Sequence, residues 1–319
     1  MASATVLITG GTGFLGSYVA EDLVEAGQEV VAFDLSTDDR ILSKLGVAED
    51  VEIRRGDVTD PTEVVRAVRE TGATRIVHLA ALLTNSARED PRAAAEVNVM
   101  GTNNVFEAAR TLDDQVERVA WASSAAIYAP PDRYDLPVDE DDLVYPDTLY
   151  GATKGYNEHQ ARVYAEDYDL SLVGLRPTVA YGPYRETGGS AFLADIVEKP
   201  ALGESFSVEY GDQAIDWQHA RDIAQAFRKA ALVPDPELGQ RVYNVGGELA
   251  TIREAVETMR EIVPDADLEV SDEGELPWTQ DLDDGDAKAD LGYRVEYDLE
   301  RGFRQYANAL RADAGMELL

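Results

Sequence analysis

The first half of this 319-residue chain predicts a doubly wound α/β fold, a parallel sheet with helices on both faces, and the second half predicts a smaller lobe at the edge of that sheet. Three observations carry the prediction. Short apolar runs alternate with helical patterns as far as residue 177. A glycine turn, made by Gly10, Gly13 and Gly16, separates the first apolar run from the first helical pattern. Beyond Thr178 the chain becomes rich in Gly, Pro and acidic residues, with no internal repeat and no low-complexity linker. The expected division is a Rossmann-type domain over 1–177 and a substrate-binding lobe over 178–319, with segments of the latter returning to the sheet.

In chain order, TVLIT at 5–9 is a buried strand. Leu15, Val19 and Leu23 then recur on one helix face, and Gly27 supplies the stop. Further strands are expected at 29–34, 51–54, 75–79, 116–123 and 170–175, and helices at 61–71, 91–110 and 148–167. The second half offers helices at 190–198, 220–232 and 251–262. Ligands of such a layout sit outside the carboxyl ends of the strands.

Composition narrows the function. Sixty-two acidic residues against 28 basic ones give a net charge of -34, a field that repels nucleic acid and anionic membrane. Lysine is confined to Lys44, Lys154, Lys199, Lys229 and Lys288, and such an acidic, lysine-poor surface resembles that of halophile proteins, where concentrated counterions screen self-repulsion. Without cysteine there is no disulfide, thiolate nucleophile or sulfur-ligated metal. His78, His159 and His219 lie far apart and no metal is expected, while the acidic run 281–286 reads as a solvated loop without calcium-loop spacing. The N-terminus enters a strand pattern with no charged-then-apolar leader, and no apolar run of about 18 residues occurs, so a cytoplasmic location is expected.

The glycines stand where a strand turns into a helix, so backbone N–H groups can approach a pyrophosphate at the helix N-terminus. Asp34 ends the second strand, about 20 residues on, where a carboxylate accepts from ribose hydroxyls and repels a 2'-phosphate. NAD is favoured over NADP, with Arg40 in the following loop as the opposing signal. Tyr150 and Lys154 stand one helical turn apart, downstream of SSAAIY at 123–128. A tyrosine, with an ordinary pKa of about 10, works as a base near neutrality only beside a cation, and Lys154 supplies one at i+4. A serine hydroxyl at the end of the fifth strand can hold a substrate oxygen while Tyr150 moves its proton.

These motifs, together with GDVTD at 56–60, HLAA at 78–81, NVMGT at 98–102, RPTVAYGP at 176–183 and DWQHARDIAQA at 216–226, resemble those of the extended short-chain dehydrogenase/reductases, the NAD-dependent epimerase/dehydratase family. The resemblance implies that Ser124, Tyr150 and Lys154 are catalytic, Ser124 being preferred to Ser123 because it lies four before Tyr128. It implies that Asp57 and Val58 flank an adenine and that Ala80 and Ala81 line the cofactor cleft. Phe14, Leu15, Leu79, Asn98 and Pro177, within the same motifs, join the cofactor residues, and Ala125, Tyr181 and Arg185 the substrate residues. A homodimer built through cofactor-domain helices is also implied. His78 is expected to pack beneath the cofactor and His219 to make a fold contact, with Trp121 and Trp217 in the core or cleft wall.

Ala125 and Ala126 occupy the place where the dehydratases of this family carry an acid pair, which argues against dehydration. Ile215 precedes Asp216 where nucleotide-sugar epimerases carry an arginine, leaving Arg185 or Arg221 to grip a diphosphate. The leading expectation is a sugar epimerase. The alternatives are an NAD-dependent dehydrogenase of a free sugar, sugar acid or other hydroxy compound, and a non-catalytic NAD(H)-binding sensor, against which the intact trio argues.

Overall fold

In a computed structural model of the chain, residues 3–128, 130–235, 238–276 and 281–319 are described. The first half runs β1 (Thr5–Thr9), α1 (Phe14–Glu25), β2 (Glu29–Asp34), α2 (Arg40–Leu45), β3 (Val51–Arg55), α3 (Pro61–Thr71), β4 (Arg75–His78), α4 (Thr84–Glu89), α5 (Pro91–Ala94), α6 (Thr102–Thr111), β5 (Arg118–Ala122), α7 (Leu149–Tyr168) and β6 (Leu172–Pro177). The second runs β7 (Val179–Tyr181), α8 (Asp195–Ala201), β8 (Phe206–Val208), β9 (Ala214–His219), α9 (Ala220–Leu232), β10 (Val242–Val245), β11 (Glu248–Thr251), α10 (Ile252–Ile262), β12 (Leu268–Val270) and α11 (Leu299–Asp313).

Seven parallel strands form the main sheet in the order β10-β6-β5-β4-β1-β2-β3. Both faces are covered by helices, so β6 is buried along its whole length and reads as a continuous run rather than an alternating one. On one face α1 and α9 pack Tyr18, Val19, Leu23, Ile223 and Phe227 against the sheet. On the other, Phe106 and Trp121 lie among Val64, Val68 and Leu172. A fully buried side chain such as Phe106 contributes about 1.5–3 kcal/mol by leaving water. A separate core holds the remaining elements, where β7, β9 and β11 form a three-stranded sheet and Trp217, Phe303, Tyr306 and Met259 pack with α8, α10 and α11.

Local chemistry sets the helix ends. Asp60 accepts from the N–H groups of Thr62 and Glu63 at the start of α3, Pro61 takes its first position, and Gly72 ends it in the left-handed region. Thr251 and Glu254 form a capping box on α10. The N-terminus of α1 has no side-chain cap and no acidic residue in its first turn.

Two expectations are corrected and one, a helix, is refined. The sixth strand lies at 172–177 rather than 170–175, because Arg176, a charge that ends the apolar run, is buried by pairing with Glu158. The helix expected over 91–110 is helical throughout but contains a π-helical stretch at Ala95–Gly101. The acidic run 281–286 is not simply solvated, since Leu282 is buried against Ile127, Tyr128 and Val138 and bridges to Val138. The chain beyond residue 178 also supplies β10 at the edge of the main sheet and α9 against α1. Among the described residues no helix is long and apolar enough to cross a membrane, and no group of three or more metal-ligating side chains comes together.

Candidate active site

Strand order reverses between β1 and β4, and a cleft of about 620 Å³ opens across the carboxyl ends of the sheet there. Its first wall is backbone. Gly10, with φ +70, would place a Cβ 2.9 Å from the amide nitrogen of Ala80, and a Cβ on Gly16 would stand 2.0 Å from the carbonyl oxygen of Gly10. Gly13, Phe14 and Leu15 line the same wall beside the uncapped first turn of α1. This close-set backbone turn, leading into the uncapped N-terminus of α1, fits a dinucleotide pyrophosphate. Asp34 lines the cleft at the end of β2, held by the N–H groups of Thr12 at 3.2 Å and Ser36 at 3.1 Å. Arg40 bonds Asp38 at 2.6 Å and lies 3.9 Å from Glu186, so its ion pairs are with carboxylates other than Asp34. Asp57, Val58, Leu79, Ala80, Ala81 and Pro177 all line the cleft.

Asn98 does not. Its side chain is buried behind the wall, accepting from Leu82 N at 2.7 Å and donating to Leu82 O at 2.9 Å, so it shapes the cleft by fixing the loop after β4.

Ser124, Tyr150 and Lys154 converge on one side of this cleft. Thr148 caps α7 by accepting from Gly151 N, which sets the first turn that carries Tyr150. Gly151 packs so closely that a Cβ would meet Ala126 O at 2.0 Å, pressing α7 against the loop that carries Ser124. Burial pushes the Tyr150 phenol up to about 12, while the neighbouring Ser124 hydroxyl pulls the other way. Lys154, 3 % exposed, donates to Ala122 O at 2.7 Å, with Nζ 5.6 Å from the Tyr150 ring centre. Burial brings its ammonium down to about 8. Below that pH a cation therefore stands beside the phenol.

The other end of the cleft is lined by Ala125 and Ala126, by Thr178, and by the loop that carries Arg185, Thr187 and Ser190. Arg185 donates to Ala180 O, to Thr187 O at 3.3 Å and to Ser190 Oγ at 2.8 Å. No carboxylate pairs with it among the described residues, and burial lowers it to about 10. Tyr181 is a correction. It is 3 % exposed and packs edge-on against Trp217, His219 and Phe303 in the lobe core, its hydroxyl turned to Asp298 O, because the alternation of β7 points it away from the cleft. Arg221 bonds Glu21 at 2.7 Å, outside the cleft lining, so Arg185 alone of the two expected arginines reaches it. Ile215 is buried in the lobe core.

His78 bonds Thr9 and Thr102 and is held neutral by burial, down to about 3. His219 caps α9 through Nδ1 and stacks on Tyr297. Trp121 and Trp217 are core. Sequence reasoning missed Leu82, Thr84 and Ser86 after β4, Tyr128 and Thr148, all in the lining. The rule that ligands gather beyond strand ends could have found the first three.

The model of the NAD-dependent epimerase/dehydratase family matches residues 6–246. The chain is similar to UDP-glucuronate 4-epimerase 3 of Arabidopsis thaliana, with 28% identity over 95% of this chain and 75% of that protein. Among solved structures it is similar to the UDP-glucose 4-epimerase of Thermus thermophilus in complex with NAD, at a TM-score of 0.80 and 30% identity over 96% of this chain and 99% of the other. An L-threonine dehydrogenase from Cupriavidus necator is also similar, at a TM-score of 0.83 and 25% identity over 97% of this chain and 99% of the other.

Proposed function

The chain belongs to the NAD-dependent epimerase/dehydratase family, as an NAD-dependent enzyme of the short-chain dehydrogenase/reductase superfamily, and from that premise we propose that it is a sugar 4-epimerase acting on a nucleotide-linked sugar. The observation that carries the reading is that Ser124, Tyr150 and Lys154 converge on the same cleft as the glycine cradle, with Lys154 Nζ 5.6 Å from the Tyr150 ring centre.

Bound NAD supplies the place to which a carbinol hydrogen leaves as hydride and from which it returns. Ser124 orients the reacting oxygen. Tyr150 takes the hydroxyl proton as the carbonyl forms and gives it back as the carbinol is remade. Lys154 favours the phenolate that this transfer requires. Arg185 meets the diphosphate that Ile215 cannot, and Ala125 and Ala126, which carry no acid, leave the keto sugar undehydrated.

Incubation with UDP-glucose and with UDP-glucuronate, followed by separation of the 4-epimers, tests this. Interconversion of either, with near-stoichiometric NAD(H) released from the denatured protein, is expected. Loss of the reading would be NADH accumulation with neither sugar epimerised. That outcome would favour a dehydrogenase of a free sugar, sugar acid or other hydroxy compound, for which Ile215 and the likeness to a threonine dehydrogenase speak.

The same reading extends to a homodimer through helices of the cofactor half and to a halophilic cytoplasmic setting. A Tm that rises steeply between low and multimolar KCl is the expected mark of the acidic surface.

A further inference from the structure

Glu158 follows Lys154 at i+4, so Tyr150, Lys154 and Glu158 descend one face of α7. Glu158 reaches neither the cleft nor solvent; its side chain is 10 % exposed and that of its partner Arg176 is 5 %. It accepts from Ser123 Oγ at 2.5 Å and from Arg176 Nε at 2.8 Å and Nη2 at 2.9 Å. Arg176 Nη1 donates to the Tyr128 hydroxyl at 2.5 Å, and that hydroxyl lies 3.1 Å from Asn244 Oδ1 on β10. Every anchored residue adjoins the chemistry. Ser123 precedes Ser124, Arg176 precedes Pro177 and Thr178, and Tyr128 itself lines the cleft.

A buried ion pair contributes little net stability compared with apolar residues of the same volume, so the fold alone does not require this one. Its particular property is direction. A bidentate carboxylate–guanidinium pair fixes distance and angle together, whereas apolar contacts between α7 and β6 permit sliding.

We propose that Glu158 and Arg176 are positioning residues that lock the catalytic helix to the ends of β5 and β6, setting the Ser124–Tyr150 contact on which proton transfer depends. The proposal rests on the reading of Tyr150 as the proton carrier.

The test compares the parent with Glu158→Met/Arg176→Leu, which removes both charges and leaves neither unpaired, and with the milder Ser123→Ala, which removes one bond. Turnover of UDP-glucose and UDP-glucuronate is measured across pH. The Tyr150 phenol is titrated separately, by tyrosinate absorbance as the difference from matched Tyr150→Phe proteins. The double variant is expected to fold and to lose about 10- to 100-fold in kcat, on the scale of a misplacement of about 1 Å, with KM within about threefold. Its Tyr150 titration should move to higher pH as the phenol draws away from the Ser124 hydroxyl, and Ser123→Ala should shift it the same way by less. Parental kcat and an unmoved titration in both variants would overturn the proposal. Should the parent turn over neither sugar, the substrate reading falls, and the Tyr150 titration still decides this one.

Discussion

The two halves of the cleft are built from different materials. The cofactor half is mostly backbone, with Gly10, Gly13 and Gly16 against Ala80 and Ala81, and Asp34 as its polar landmark. The half proposed to take the substrate is side chains on irregular chain, with Arg185, Thr187 and Ser190 carried on a loop in which Gly182, Tyr184 and Gly188 all have positive φ. A backbone wall follows from the fold, since its shape is set by main-chain geometry and glycine. A side-chain wall is rewritten by substitution, which is why this scaffold serves relatives with different substrates.

The largest expected effect lies where the halves meet. Tyr150→Phe should lower kcat by about 10³-fold, within the range of general acid–base catalysis, while NAD content by mass spectrometry stays at the parental level. An equal loss of NAD would blur the comparison by making the phenol a cofactor ligand first. Gly16→Ala should break the backbone wall, since its Cβ would overlap the Gly10 carbonyl. About 100-fold weaker NAD binding by calorimetry is expected, on the scale of about 3 kcal/mol of overpacking.

Arg185→Met sharpens the contrast. A charge-assisted bond is worth about 1.5–3 kcal/mol, so kcat/KM for nucleotide sugars should fall about 10- to 100-fold with NAD binding unchanged. Because no carboxylate pairs with the half-buried guanidinium among the described residues, the Tm should hold or rise.

The smallest effect is one of pH. Burial raises Asp216 and Glu140 to about 7 and Asp222 to about 6, so the folded chain keeps protons that the unfolded chain releases near pH 4. Their contribution is fully present below about pH 4 and is lost as pH rises through 6 to 7. The Tm by scanning calorimetry should therefore be a few degrees lower at pH 8 than at pH 6, and Asp216→Asn should flatten part of that slope.

The same contrast explains what could be read in advance. Gly10, Asp34, Asp57, Ala80, Ser124, Tyr150 and Lys154 sit at strand ends or at fixed helical spacing, so local pattern located them, and all of them line the cleft. Tyr181 and Asn98 carried equally good motif positions, yet the pleat of β7 turns one into the lobe core and the loop after β4 engages the other. Nothing local distinguishes a tyrosine that faces a ligand from one that faces Phe303.

By itself the sequence determined the fold class, the glycine turn between β1 and α1 and the one-turn spacing of Tyr150 and Lys154, because each depends on contacts within a few residues or on strand-helix alternation. Only the tertiary structure decided that Arg185 and not Arg221 enters the cleft, and that Glu158 and Arg176 close a buried pair behind it. Those outcomes depend on which side chains, 18 to 200 positions apart, the packing brings together. No periodicity along the chain encodes that.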